Sequence, residues 1–204
     1  MKRLAGAFAL TLAFVGAADA HTLNEYVQAL RVDVGSARLL VYLDLTPGTN
    51  IAAHVLQRID GNGDGALSPT EAEAYARSVI ADLAITLDGH DVALSLVRVE
   101  TPAAEELRDG QGAIRIHTSA RPSTPNGRHR LVVRNGHLPS LSVYLANALL
   151  PDAADIRILQ QSRDLRQQTF SLDYEIRGVN RTALAWLLAA STMLTLLVSA
   201  RRLS

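Results

Sequence analysis

Residues 38–46 read Arg-Leu-Leu-Val-Tyr-Leu-Asp-Leu-Thr. Leu39, Val41, Leu43 and Leu45 fall at every second place, so an extended chain gathers all four on one face. The same period of two runs through Val27–Val34, and a short Gly-Ser-Ala turn separates the two stretches. This is the signature of a half-buried hairpin. Pro47-Gly48 then breaks the alternation, and the period changes. Asn50–Ile59 and Pro69–Leu83 read as helices, with Ala52, Val55, Leu56 and Ile59 at helical spacing on the first. After Leu83 the period of two returns. Ala84–Leu87 and Val92–Val99 flank Asp88-Gly89-His90-Asp91, where Asp-Gly favours a tight hairpin turn.

Further out, residues 100–112 are polar and hold Pro102, Gly110 and Gly112, which predicts a loop. Strand-like segments follow at 113–120, 128–134, 140–148, 155–162 and 169–177, with a clear break at Arg-Pro-Ser-Thr-Pro-Asn-Gly, 121–127. Short strands with turn chemistry between them, interrupted once by a helical pair, predict an α+β chain that is mainly β. The expected form is an antiparallel sandwich, of which the immunoglobulin-like kind is one example. No internal repeat divides it, so residues 21–181 are expected to be one domain.

The ends read differently from the body. Met1-Lys2-Arg3, an apolar run from Leu4 to Ala17, and Ala18-Asp19-Ala20 are the three parts of a secretory signal peptide. At the other end, Ala183 to Ala200 carries no charge and is flanked by Arg181 and by Arg201-Arg202. As a helix it would be about 27 Å long, close to the ~30 Å hydrocarbon core. Trp186 near its outer end and the arginine pair at its inner end fit the interface and positive-inside tendencies. The expected topology is a signal peptide at 1–20, an exported domain in the periplasm or outside the cell, one transmembrane helix at 182–200 and a cytoplasmic tail at 201–204.

Composition excludes several functions. The 204 residues include no cysteine, which removes disulfides, thiolate metal sites, iron–sulfur clusters and cysteine nucleophiles together. Twenty basic and 20 acidic residues cancel, and the only lysine is Lys2. Residues 21–110 hold 6 Arg against 14 acids, whereas 111–181 hold 10 Arg against 5, with no block of like charge in either. That pattern describes two differently charged faces of one domain, not a nucleic-acid surface. A partner-binding basic face is a possible use of the second. No GxSxG, phosphate-cradling glycine loop or supported Ser/His/Asp order is present, so the chain is not expected to be an enzyme.

The chemistry is concentrated between the two helices, at Asp60-Gly61-Asn62-Gly63-Asp64-Gly65-Ala66-Leu67-Ser68-Pro69-Thr70-Glu71. Read as a twelve-residue calcium loop, every required position is filled. Asp60, Asn62 and Asp64 at positions 1, 3 and 5 offer side-chain oxygens. Gly65 at position 6 permits the sharp turn, Ala66 at 7 offers its carbonyl, and Ser68 at 9 acts through water. Glu71 at 12 supplies a two-oxygen carboxylate. An all-oxygen donor set suits the hard Ca2+ ion and disfavours zinc, copper and nickel there. Leu67 at position 8 is apolar, and Pro69 starts the second helix where its missing N–H costs nothing.

Helix, loop and helix together, 50–83, resemble an EF-hand. EF-hands usually pair, each loop bridging the other at its apolar eighth position, and no second loop occurs here. The strands must then cover both helices' apolar faces, which favours a structural site over an opening switch. The Met-rich groove of a true sensor is also missing, since the only methionines are Met1 and Met193. A wider stretch is similar to a group of bacterial exported proteins. It comprises HTLNEYVQALRV at 21–32, Leu-Asp-Leu-Thr-Pro-Gly at 43–48, Gly-His-Leu-Pro at 136–139 and Ser-Val-Tyr-Leu at 142–145. Those proteins carry one EF-hand, some fused to HupE/UreJ-type membrane regions associated with nickel or cobalt.

The expectation is therefore a calcium-binding, membrane-anchored domain whose EF-hand stabilises a surface for a protein partner. The alternative begins at His21, the first residue after cleavage at Ala20. Its amine and imidazole suit copper or nickel, with His54, His90, His117, His129 or His137 as candidate partners in a metal-transport accessory. None of those histidines forms an HxH or HExxH spacing.

Overall fold

The computed structural model describes residues 24–178. The expected signal peptide, His21 and the transmembrane helix at 182–200 lie outside the described residues. Among the described residues no helix is long and apolar enough to cross a membrane.

Alternation becomes structure first in the hairpin. In β1, Tyr26–Val34, and β2, Leu39–Pro47, every second residue is buried along the whole length of both strands. They pair antiparallel with Leu30 opposite Leu43 and Val32 opposite Val41, and Gly35 N–H donates to Arg38 O at 2.8 Å to close the turn. Two helices follow, α1, Thr49–Ile59, and α2, Pro69–Ala81. The remaining strands are β3 Leu83–Leu87, β4 His90–Asp91, β5 Ser95–Glu100, β6 Ile114–Ala120, β7 Gly127–Asn135, β8 Ser142–Ala148, β9 Ile156–Arg163 and β10 Thr169–Ile176. They form two five-stranded sheets, ordered β5-β6-β2-β1-β8 and β4-β3-β7-β10-β9. Leu30, Val32, Leu43 and Ile116 of the first sheet share one core with Leu131, Val133, Phe170 and Leu172 of the second. The chain is thus mainly β, a two-sheet sandwich with a helical pair inserted between β2 and β3.

Three details depart from the expectation. The stretch Val92–Val99 is not one strand. Its partner pairing ends near Val92, whose N–H donates to Ile85 O at 2.9 Å, and β5 then joins β6 in the opposite sheet. Such a change of sheet is how a corner of a sandwich is made. The loop expected at 100–112 holds a short helix, α3, Ala104–Arg108. Leu107 is completely buried beneath α1, and with Ala104 packed partly against the core it orders a segment that is otherwise largely polar. Finally, the sheets are not wholly antiparallel: β8 runs parallel to β1, with Gln28 beside Tyr144.

The helical pair closes the sandwich rather than standing off it. Val55, Leu56 and Ile59 of α1 and Tyr75, Ala76 and Val79 of α2 belong to the same core as the strands. Leu67, the apolar eighth position of the loop, also packs against that core instead of against a second loop. Fully burying side chains such as Val55, Ile59 and Val79 contributes about 1.5–3 kcal/mol each, and through them the sheets hold the pair.

Candidate metal centre

The loop starts at the C-terminus of α1, where Asp60 N–H donates to Leu56 O at 2.8 Å. Its carboxylate then turns back on the chain that follows. Asp60 Oδ1 accepts from Gly63 N–H (2.7 Å) and Asp64 N–H (3.1 Å), and Oδ2 accepts from Gly65 N–H (2.9 Å). Two smaller turns repeat the pattern: Asn62 Oδ1 accepts from Asp64 N–H at 2.9 Å, and Asp64 Oδ1 from Ala66 N–H at 2.8 Å. These local side-chain to backbone bonds are what Asp and Asn favour outside helices. Gly65 makes the reversal possible, because its φ of +80° lies in the left-handed region that costs other residues a steric penalty.

The second half of the loop is built by the start of α2. Ser68 is its N-cap: Ser68 Oγ accepts from Glu71 N–H at 3.3 Å, and Glu71 Oε2 accepts from Ser68 N–H (3.0 Å) and Oγ–H (2.6 Å). This is a capping box. Glu71 Oε1 reaches across to the other end of the loop and accepts from Gly61 N–H (3.0 Å) and Asn62 N–H (3.3 Å). One carboxylate therefore ties the first residues of the loop to the last. Its hydrogen bonds from Ser68, and then those from Asn62 and Gly61, hold the Glu71 carboxyl below the usual carboxylate range.

Asp60, Asn62, Asp64, Ala66, Ser68 and Glu71 are thus brought into one exposed turn. Among the described residues no three His, Asp or Glu side chains gather into a compact cluster. That includes Asp60, Asp64 and Glu71, which with an amide oxygen, a main-chain carbonyl and a hydroxyl share the turn but do not converge on one point. The carboxylates are here engaged by backbone N–H groups. The hard, all-oxygen chemistry of the set fits Ca2+, and nothing in it is a soft or nitrogen ligand.

The chain matches no protein-family model, no curated protein and no solved structure.

The histidines are dispersed. His54 is exposed and accepts from Arg58 Nε–H at 3.2 Å, and His117 packs edge-on to Tyr42. His129 is nearly buried, with Nδ1 2.7 Å from Asp88 Oδ2 and Nε2 2.7 Å from Pro125 O. His137 is buried too, Nδ1 lying 2.7 Å from Asp82 Oδ2 and Nε2 3.1 Å from Tyr75 Oη.

His137 belongs to a buried polar cluster that sequence reasoning did not find. The segment between β7 and β8 crosses from one sheet to the other beside the C-terminus of α2. His137 O accepts from Gln28 Nε2–H (2.9 Å), Tyr144 Oη–H (2.9 Å) and Ser142 Oγ–H (3.2 Å), and Asn135 Oδ1 accepts from His137 N–H at 3.0 Å. Asn135 Nδ2–H donates to Gln28 Oε1 at 2.8 Å. Gly136 N–H donates to Asp82 O at 2.9 Å, and a Cβ on Gly136 would stand only 3.1 Å from that oxygen. Gly136→Ala is expected to push the crossing segment off α2 and destabilise the fold by about 1–3 kcal/mol. Chemical denaturation checks this, and a change smaller than half a kilocalorie per mole would show that the contact yields freely.

Proposed function

We propose that the chain is a calcium-binding, membrane-anchored extracytoplasmic domain. In it a single EF-hand, set into a sandwich of immunoglobulin-like kind, stabilises a β-rich module that binds a protein partner. The observation that carries the reading is the loop itself. Six oxygen-bearing positions stand at the EF-hand spacing, and Asp60 already folds the first half of the loop back on itself through three backbone hydrogen bonds.

Calcium, when bound, would offset the repulsion between Asp60, Asp64 and Glu71 and join the two halves of the loop through their oxygens. The chain's own contribution is preorganisation. α1 and α2 are fixed by the core, Ser68 caps α2, and Glu71 spans the loop from end to end. With both helices packed against the sheets, binding would act mainly as a stabiliser of the folded state. At a hundredfold excess over Kd that effect is about 2.7 kcal/mol.

Thermal unfolding of the mature chain, cleaved after Ala20, tests this, first in EDTA and then with calcium, magnesium, copper or nickel. Calcium alone is expected to raise Tm, by roughly 5–10 °C under those conditions. Glu71→Gln should abolish most of the rise while leaving the protein folded in EDTA. No calcium shift, with a copper or nickel shift that requires the free His21 terminus, would reverse the assignment in favour of a transition-metal protein.

A further inference from the structure

We propose that the His137 ring is a proton-sensitive latch on α2, through which mild acid weakens calcium binding at the loop; the inference rests on the calcium reading above. The geometry is a continuous chain of groups. Asp82 caps the C-terminus of α2, and Tyr75 lies on the inner face of the same helix, one turn beyond Glu71. The His137 ring touches both, and Tyr75 Oη lies 2.7 Å from Tyr26 Oη on β1. The backbone of His137 is fixed from the sheet side by the three donors on its carbonyl. The ring is therefore a rigid hand on a helix whose first turn closes the loop.

The protons in this chain can be counted. A carboxylate only accepts, so the Nδ1 facing Asp82 carries hydrogen. In the neutral ring Nε2 then accepts from Tyr75 O–H, and Tyr75 Oη accepts from Tyr26 O–H. Two hydroxyl hydrogens meet two acceptors, and nothing is left over. Protonation of Nε2 brings a third hydrogen to the same two contacts. One hydroxyl must lose its acceptor, and Tyr26 and Tyr75 are 0% and 4% exposed, so water does not replace it there. A buried donor without a partner is costly, and the cheapest relief is for Tyr75, and α2 with it, to move away.

The electrostatic surroundings agree. Burial is the main reason that the His137 ring is held below its ordinary value of 6.5. Asp82 opposes that effect and Arg58 on α1 adds to it. Burial pushes Tyr75 up to about 12, offset in part by the hydrogen bond from Tyr26, so both phenols keep their hydrogens throughout. Asp82 and Tyr75 from α2, Arg58 from α1, Tyr26 from β1 and Tyr144 from β8 are the titratable and charged groups that face His137.

The direction follows from the loop. With the latch closed, α2 holds Glu71 facing the loop's other end, where its carboxylate accepts from Gly61 and Asn62, and moving α2 away carries that carboxylate off from the other loop oxygens. Acid favours the released form and lowers affinity. By linkage, calcium must lower the proton affinity of His137 by the same factor.

The test measures calcium affinity of the full chain by calorimetry at about pH 7.5 and about pH 5.5, on either side of the ordinary histidine value. It follows the His137 ring by NMR with and without calcium. Affinity is expected to fall about threefold at the lower pH, and calcium should move the His137 midpoint down by about one unit. In His137→Gln most of the pH effect should vanish, leaving the small part due to the loop carboxylates. An equal pH effect in wild type and variant overturns the latch while leaving the calcium reading intact. Absence of calcium binding at the higher pH overturns both. Should the variant not fold, the wild-type ring decides: a midpoint indifferent to calcium overturns the proposal.

Discussion

Gln28→Leu is expected to destabilise the protein by about 3 kcal/mol, read as a lower urea midpoint at unchanged slope. Gln28 lies on β1 between the two sheets and is completely buried. Its amide donates to His137 O at 2.9 Å and to Ser142 Oγ at 2.6 Å, and its oxygen accepts from Asn135 Nδ2 at 2.8 Å. Leucine fills similar space and gains some apolar burial. It leaves the Asn135 amide, on a residue 3% exposed, without an acceptor. It also removes a donor from the carbonyl that fixes the crossing segment. An orphaned buried donor costs about 1–3 kcal/mol and each lost hydrogen bond about 1 more, which exceeds the apolar gain. Gln160→Leu on the exposed face of β9 is the control and should stay within about 0.5 kcal/mol of wild type. If the two leucines behave alike, the polar cluster contributes no stability.

The position of Gln28 also shows where sequence reading succeeds and where it stops. Period-two alternation made β1 and β2 legible because their inward residues are almost all apolar. The helical pair was legible because its apolar stripe and its loop chemistry agree. The polar cluster was not, because alternation reports which residues face inward and says nothing of what they meet there. Gln28 falls in the same phase as Tyr26 and Leu30, and Asn135 in the phase of Leu131 and Val133. A polar residue in the inward phase is a signal that a buried partner exists, but its partner's identity depends on which strands the fold brings together. Here that depends on β8 lying parallel to β1, a pairing between residues more than a hundred positions apart. The same limit explains Val92–Val99, where one strand-like stretch serves two sheets, and Leu107, the buried anchor of a largely polar segment.

Within the loop, spacing proposes ion donors, whereas the structure shows a second duty for the same residues, the hydrogen bonds that fold the loop. Asp60→Ala should show both. In EDTA the variant loses three hydrogen bonds that fold the loop, an effect comparable to loss of a helix cap, about 1–2 kcal/mol. In calcium at a hundredfold excess over the wild-type Kd it also loses the ion's contribution, so the total approaches about 4 kcal/mol. For a chain of this size Tm should drop by a few degrees in EDTA and by roughly 10 °C in calcium. Glu71→Gln should lose less in EDTA, about 1 kcal/mol, since glutamine keeps one accepting oxygen and Ser68 still caps α2 through its own hydroxyl, and its larger deficit should appear with the ion. A deficit for Asp60→Ala that is the same with and without calcium would mean that Asp60 builds the loop but does not bind the ion. A deficit confined to calcium would mean the reverse, that the three hydrogen bonds merely replace ones the loop makes with water.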